Sequence, residues 1–280
     1  MVNQRRSSIL CPNCRKLISV DEERCPYCGT RNPGSRWKNN LWTRGFRNTD
    51  QYIKAIIYVN IAMYVFSILL DPLSVGHSAN PLAFLSPSNK SLFFLGATGT
   101  IPVARFHRWW TIVSANYLHG GIIHILFNMI ALKQLAPVAL NEYGAYRMVS
   151  IYTLGGIVGY LMSYVAGVPL TIGASAAICS LIGAIIYYGK SRGGAYGQAL
   201  YRQVGAWAIG IFVFGLLVPG INNWAHGGGI LAGAVLGIAL GYQEKRRENL
   251  FHKLLAGICV AVTLAVLCWA VVSAIAYRLL

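Results

Sequence analysis

The stretch Thr171–Tyr188, TIGASAAICSLIGAIIYY, contains no charged residue and opens on small side chains instead of leucines. An apolar run of this length suits a helix crossing a hydrocarbon core about 30 Å thick. A lipid-facing helix gains nothing from glycine, alanine and hydroxyl groups at its start, whereas a helix that touches other helices does. Ser175, Cys179 and Gly183 recur at every fourth residue, so one face of this span is small along its length. Either the hydroxyls serve close packing or one of them does chemistry.

The rest of the chain points to the same solvent. Its 280 residues are 55% hydrophobic and 11% charged, with a mean hydropathy of +0.51. An ordinary soluble domain carries about 25% charged residues. We read spans at residues 54–71, 120–139, 145–166, 173–189, 203–219, 224–242 and 252–277. The expected fold class is therefore an all-α polytopic membrane protein, with six helices in a core and one more at the C-terminus. Residues 72–118 form a long mixed segment that we expect to be folded instead of slack. Its Trp109 and Trp110 suit a membrane interface.

A net charge of +16 raises the question of nucleic acid. Its distribution answers otherwise. With the N-terminus in the cytoplasm and the spans alternating, 20 of the 24 Lys and Arg residues fall on cytoplasmic segments. Only Lys90, Arg105, Arg108 and Arg278 lie outside. The positive-inside rule thus orients the chain N-in and C-out, and the basic charge is topological. No nucleic-acid partner is expected. The polar, Cys-containing N-terminus has no signal-peptide pattern. The expected location is a prokaryotic plasma membrane.

No Asp or Glu lies in the middle of a span, which disfavours ion-coupled transport. The polar residues that remain sort by depth. His124 and Asn128 lie early in the second span, Ser175 early in the fourth and His226 early in the sixth. These three spans run in the same direction, so the four residues share one depth below the outer surface. His124 and Asn128 are four apart and share a helix face. His226 is followed on its face by Gly229 and Gly233, in AHGGGILAG, which let that face approach another helix closely.

A hydroxyl on one small-residue face and an imidazole on another suggest nucleophilic catalysis, since a neutral imidazole can take the serine proton. The oxyanion of acyl transfer needs preset donors, which the Asn128 amide, the His124 N–H and the Ser175 backbone N–H could supply. With no acidic third member, we expect a dyad. Against this, a lone membrane serine usually bonds its own backbone, and glycines at this spacing usually serve packing.

Together, HILFN (His124 to Asn128), GAS (Gly173 to Ser175) and AHGGGILAG (Ala225 to Gly233) resemble the rhomboid intramembrane serine proteases over residues 52–242. The resemblance implies that Ser175 is the nucleophile, His226 the general base and later acid, and His124 with Asn128 the oxyanion hole. It implies substrates that are transmembrane segments of other proteins, cut near the outer face. It likens residues 72–118 to a partly embedded first loop and 203–219 to a mobile lateral gate. The chain departs from the family pattern in three places. Ala176 replaces the glycine after the nucleophile, Cys179 replaces an aromatic that packs on the catalytic imidazole, and a Trp-Arg pair reads Trp110–Thr111. The alternative reading is a catalytically inactive rhomboid-like protein that binds transmembrane clients.

Residues 1–31 form a separate unit in which Cys11-Pro-Asn-Cys14 and Cys25-Pro-Tyr-Cys28 make two matched knuckles. This spacing is that of a four-thiolate zinc site, and the unit resembles a short zinc ribbon. A disulfide pair is disfavoured in a reducing compartment, and an iron site of rubredoxin type is the other alternative. A structural Zn2+ is expected here, because a unit of this size lacks a sufficient core without it. No cofactor is expected for catalysis. The ribbon is a candidate adaptor for a cytosolic partner. Residues 32–53 are read as a basic linker, 54–242 as the core, and 243–280 as a cytoplasmic loop with the extra C-terminal helix.

Overall fold

Long apolar runs broken by glycine-marked turns dictate a helical architecture, and a computed structural model of the chain describes it for residues 8–11, 16–35, 49–77 and 84–279. The chain divides into two units, Met1–Tyr52 and Ile53–Leu280.

In the first unit, strands β1 (Ser8–Leu10) and β2 (Leu17–Ser19) pair antiparallel with Ile9 opposite Ile18. The turns that follow hold cysteines. Cys11 N–H donates to Lys16 O, Cys25 N–H to Thr30 O and Gly29 N–H to Cys25 O, each at 2.9 Å. Gly29 has φ +72, the left-handed conformation that closes the second turn without a Cβ penalty. Cys11, Ile18 and Cys25 form the small core of the unit.

Among the described residues, seven helices reach 18 residues or more. They are α1 (Thr49–Leu69), α4 (Ile122–Tyr143), α5 (Ala145–Val165), α6 (Ser175–Arg192), α7 (Gly194–Leu217), α8 (Asn223–Leu240) and α9 (Leu250–Leu279). Six of them, all except α6, are long and apolar enough to cross a membrane. The chain is an integral, multi-pass membrane protein with the helical core expected from its sequence. Each expected span falls on one of these helices, with ends shifted by up to nine residues, most at the start of α7. Helix α4 runs through Pro137 to Tyr143, beyond the expected end at residue 139.

Helix α6 opens on small residues because it is the most enclosed. Twelve of its 18 residues are buried, and α4, α5, α7 and α8 all pack against it. Surrounded by protein, it needs small residues that fit neighbours more than bulk that fits lipid. Helix α7 is buried only at Gly197, Leu200 and Val204, near its start; Ile209, Phe212, Leu216 and Leu217 are exposed. The C-terminal helix α9 packs on the flank of the core, against α5 and two short loop helices, α2 (Asn89–Phe94) and α3 (Thr111–Ser114).

The segment between α1 and α4 is folded, as its length suggested. It carries a short pair of strands, β3 (Gly76–His77) and β4 (Phe84–Ser86), then α2, a π-helical turn at Ile101–Arg105, and α3. The Arg108 guanidinium holds it together by donating to Phe93 O at 2.8 Å and Phe94 O at 2.9 Å while lying over the Phe93 and Trp110 rings. A cation two residues before Trp110 thus stands on its ring where the expected Trp-Arg pair is missing. The loop also clamps the approach to α6: Thr98 and Thr171 exchange backbone hydrogen bonds, and Gly173 N–H donates to Ala115 O at 2.9 Å.

Candidate active site

Ser175 is the first residue of α6, preceded by Ala174 at the N-cap, so the first-turn N–H groups around it have no acceptor within the helix. The helix dipole adds partial positive charge at that end. The serine hydroxyl is therefore presented beside donors suited to a developing oxyanion.

His226 lies in the first turns of α8. Asn222 caps that helix by accepting from Ala225 N–H at 3.1 Å, while its amide donates to Ser163 Oγ at 2.6 Å and Thr171 Oγ1 at 3.0 Å. One side chain thus fixes the start of α8 to α5 and to the segment leading into α6. Asparagine is a favoured N-cap residue, and that signal was present in the sequence; its two tertiary partners were not.

The close approach of α6 and α8 depends on glycines. A Cβ on Gly229 would collide with the Ala176 carbonyl, one on Gly233 with Ser180 O, and one on Gly183 with Ile230 O. On the α5 side, a Cβ on Gly159 would lie 2.7 Å from Ala225 O. With backbones this near, the His226 Nε2 and Ser175 Oγ atoms stand 2.9 Å apart although 51 residues separate them. His226 is 7% exposed. Its Nδ1 is buried with no hydrogen-bond partner among the described residues. For Nε2 to accept the serine proton, the neutral ring must carry its own proton on Nδ1. The geometry is thus that of a pair, with no carboxylate bonded to the imidazole among the described residues.

His124 and Asn128 sit in the first two turns of α4. A Cβ built on Gly173 would lie 2.8 Å from His124 Nε2 and 3.6 Å from Ser175 Oγ. Gly173, at φ +128, therefore leaves a small space bordered by the imidazole and the hydroxyl. Its carbonyl accepts from the Tyr160 hydroxyl at 2.6 Å, a support that leaves no signal in the sequence. The Asn128 amide donates to the carbonyl of His124 at 2.9 Å, so one of its two hydrogens is spent on its own helix. Ala176 is fully buried, and the buried Cys179 lies against the bare face of Gly229.

In the first unit, the sulfurs of Cys11, Cys25 and Cys28 all lie within 4.8 Å of one another, with Cys11 and Cys28 at 3.6 Å. That separation is far beyond a disulfide bond of about 2.05 Å. It is close to the ~3.8 Å edge of a tetrahedron of thiolates bound at about 2.3 Å. The donor set fits a thiophilic ion. Cys14, the fourth expected ligand, lies outside the described residues.

Fold and site together define a polytopic helical membrane protein with a serine–histidine pair at the ends of two intimately packed helices. Comparison with known proteins gives the family: a Rhomboid domain model matches residues 107–243, which contain His124, Asn128, Ser175 and His226. The chain belongs to the rhomboid family. It is 31% identical over 185 residues to "Rhomboid protease GluP" of Bacillus subtilis, covering 65% of this chain and 35% of that protein. It is 31% identical over 163 residues to "RHOMBOID-like protein 4" of Arabidopsis thaliana, covering 58% of this chain and 41% of the plant protein. It is 30% identical over 174 residues to "RHOMBOID-like protein 6, mitochondrial" of the same plant, covering 59% and 57% respectively. The chain thus corresponds to only part of the length of these relatives. Since they come from bacterial and plant sources, kinship does not single out a prokaryotic plasma membrane.

Proposed function

We propose that this protein is an intramembrane serine endopeptidase that hydrolyses peptide bonds in transmembrane segments of other membrane proteins. The observation that carries the reading is the 2.9 Å contact between Ser175 Oγ and His226 Nε2 across the glycine-lined α6–α8 seam. Ser175 Oγ attacks the scissile carbonyl carbon as its proton passes to His226 Nε2. The oxyanion is met by His124, by the free hydrogen of Asn128 and by first-turn N–H groups of α6. Collapse breaks the C–N bond, and His226 returns the proton to the departing amine. Water then cleaves the acyl ester by the same route in reverse order. GluP, whose name makes it a protease, supports this reading by its likeness to this chain.

The charge distribution favours N-in, C-out orientation, with the site facing the non-cytoplasmic leaflet. The thiolate cluster favours a structural zinc ion held by Cys11, Cys25 and Cys28 with Cys14, the ion serving to order a unit too small to fold on its own core. An adaptor role toward a cytosolic partner fits a unit that the chain builds apart from the helical core's own sequence.

Reconstituted protein should cleave a model transmembrane substrate, and Ser175→Ala should abolish cleavage. Activity that survives this substitution would refute the assignment. The second reading, an inactive binder of transmembrane clients, draws on Cys179, which offers the His226 ring no aromatic support. It predicts that the unsubstituted protein captures transmembrane peptides without cutting them.

A further inference from the structure

The imidazole of His124 is held in a defined state by residues outside the transmembrane helices. The backbone N–H of Gly120 donates to His124 Nδ1 at 3.3 Å. A backbone N–H can only donate, so Nδ1 must be unprotonated, and the neutral ring carries its hydrogen on Nε2. Nε2 is the atom that borders the space in front of Gly173, across from Ser175 Oγ. Gly120 is held on its other side as well: the Ser86 hydroxyl donates at 2.6 Å to Gly120 O, in the following peptide group, which joins the one bearing the N–H at the Gly120 Cα.

Ser86 is in turn aimed by a backbone that deviates from the usual. Leu85 has φ +52, a region that a branched side chain rarely adopts. Its carbonyl accepts from the Tyr64 hydroxyl of α1 at 2.7 Å. Strain of this kind persists where surrounding contacts impose it, and such positions gather around functional sites. On the far side, the fully buried His119 ring stands nearly edge-on to His124, with centroids 5.1 Å apart and planes at 67°. Both His119 nitrogens lack a partner among the described residues, so it acts as a wall and does not compete for the Gly120 N–H.

We propose that Ser86 and Gly120 are positioning residues for the oxyanion donor His124: the Ser86 hydroxyl anchors the Gly120 carbonyl and so restrains rotation about the Gly120 Cα, and the Gly120 N–H held in this way imposes the Nε2–H tautomer and aims that hydrogen toward Ser175. The proposal rests on the protease reading for its catalytic consequence, while the tautomer itself is measurable without catalysis. No proton leaves this chain of contacts during the reaction; it sets a donor in advance, which is where electrostatic catalysis gains most.

The test combines nitrogen-15 NMR of histidine-labelled protein in liposomes with turnover of a transmembrane substrate, for the unsubstituted chain, Ser86→Ala and Ser86→Thr. The His124 signals are assigned as those lost in His124→Gln. The expected result is an Nε2-protonated His124 in the unsubstituted chain and a mixture of tautomers in Ser86→Ala. With it, kcat should fall about tenfold at unchanged KM, part of the roughly 10²–10³ that a whole oxyanion donor supplies. Ser86→Thr, which keeps the hydroxyl, should restore both. An Nε2-protonated ring in Ser86→Ala, or a kcat equal to that of the unsubstituted chain, overturns the proposal. If the unsubstituted protein shows no turnover, the protease reading fails, and the tautomer comparison still decides whether Ser86 and Gly120 set the state of His124.

Discussion

The bare Cα of Gly229 faces the carbonyl of Ala176, one residue past Ser175. Helices α6 and α8 can therefore approach until an imidazole on one reaches a hydroxyl on the other. The packing motif and the chemical motif are parts of one interface.

A methyl group on Gly229 would meet backbone, which cannot rotate away. Gly229→Ala should cost about 1–3 kcal/mol, as overpacking does, and should part Ser175 from His226. Gly227, two residues earlier, would meet nothing within 4 Å. Gly227→Ala should not destabilise the protein and should gain about 0.5–1 kcal/mol, as alanine does in place of glycine inside a helix. Thermal unfolding of the two variants in detergent checks the contrast.

Asn222 combines a helix cap with two tertiary hydrogen bonds, to Ser163 and Thr171. Asn222→Ala should destabilise the core by about 1–2 kcal/mol, the upper range for losing a cap. Asn222→Asp keeps the cap but removes both amide donations, so it should recover only part of the loss. Denaturation midpoints of the two variants separate the contributions.

At the opposite end of the core, Glu248 caps α5, with Oε1 accepting from Arg147 N–H at 2.9 Å. Burial pushes the Glu248 carboxyl above its ordinary value, opposed by the hydrogen bond from Arg147. A carboxyl raised in the folded state binds its proton more tightly than in the unfolded chain. Its contribution to stability is therefore largest below the ordinary glutamate pKa and declines as pH rises through the raised value. Glu248→Gln keeps an acceptor and should remove this decline; Glu248→Ala should cost about 1 kcal/mol through the lost cap. Stability profiles from pH 4 to 7 test both.

For the proposed metal site of the first unit, removal of metal should unfold that unit and leave the helical core intact. Metal analysis of purified protein should give about one zinc per chain, lost on Cys25→Ser. Stoichiometric iron in its place would contradict the zinc assignment.

The helices were legible because each is a long apolar run, and the α6–α8 contact was legible because small residues recur at helical spacing on both partners. The depths of their spans place Ser175, His226 and His124 at one level, and Ser175 and His226 stand 2.9 Å apart. What the sequence did not disclose has no period. Arg108 to Phe93, Tyr160 to Gly173 and Ser86 to Gly120 join segments whose separation in the chain carries no pattern. Asn128 shows the same limit: its spacing put it beside His124, yet the amide spends a hydrogen on that residue's carbonyl. Helix α6 shows the converse, since being the most enclosed span makes it the least hydrophobic by composition.

The most direct test of the central claim is labelling by a fluorophosphonate probe, which reacts only with an activated serine. The protein in liposomes should be labelled, mass spectrometry should find the adduct on Ser175, and His226→Ala should abolish it with the helical core still folded. An unlabelled Ser175, or labelling that persists without His226, would contradict the account.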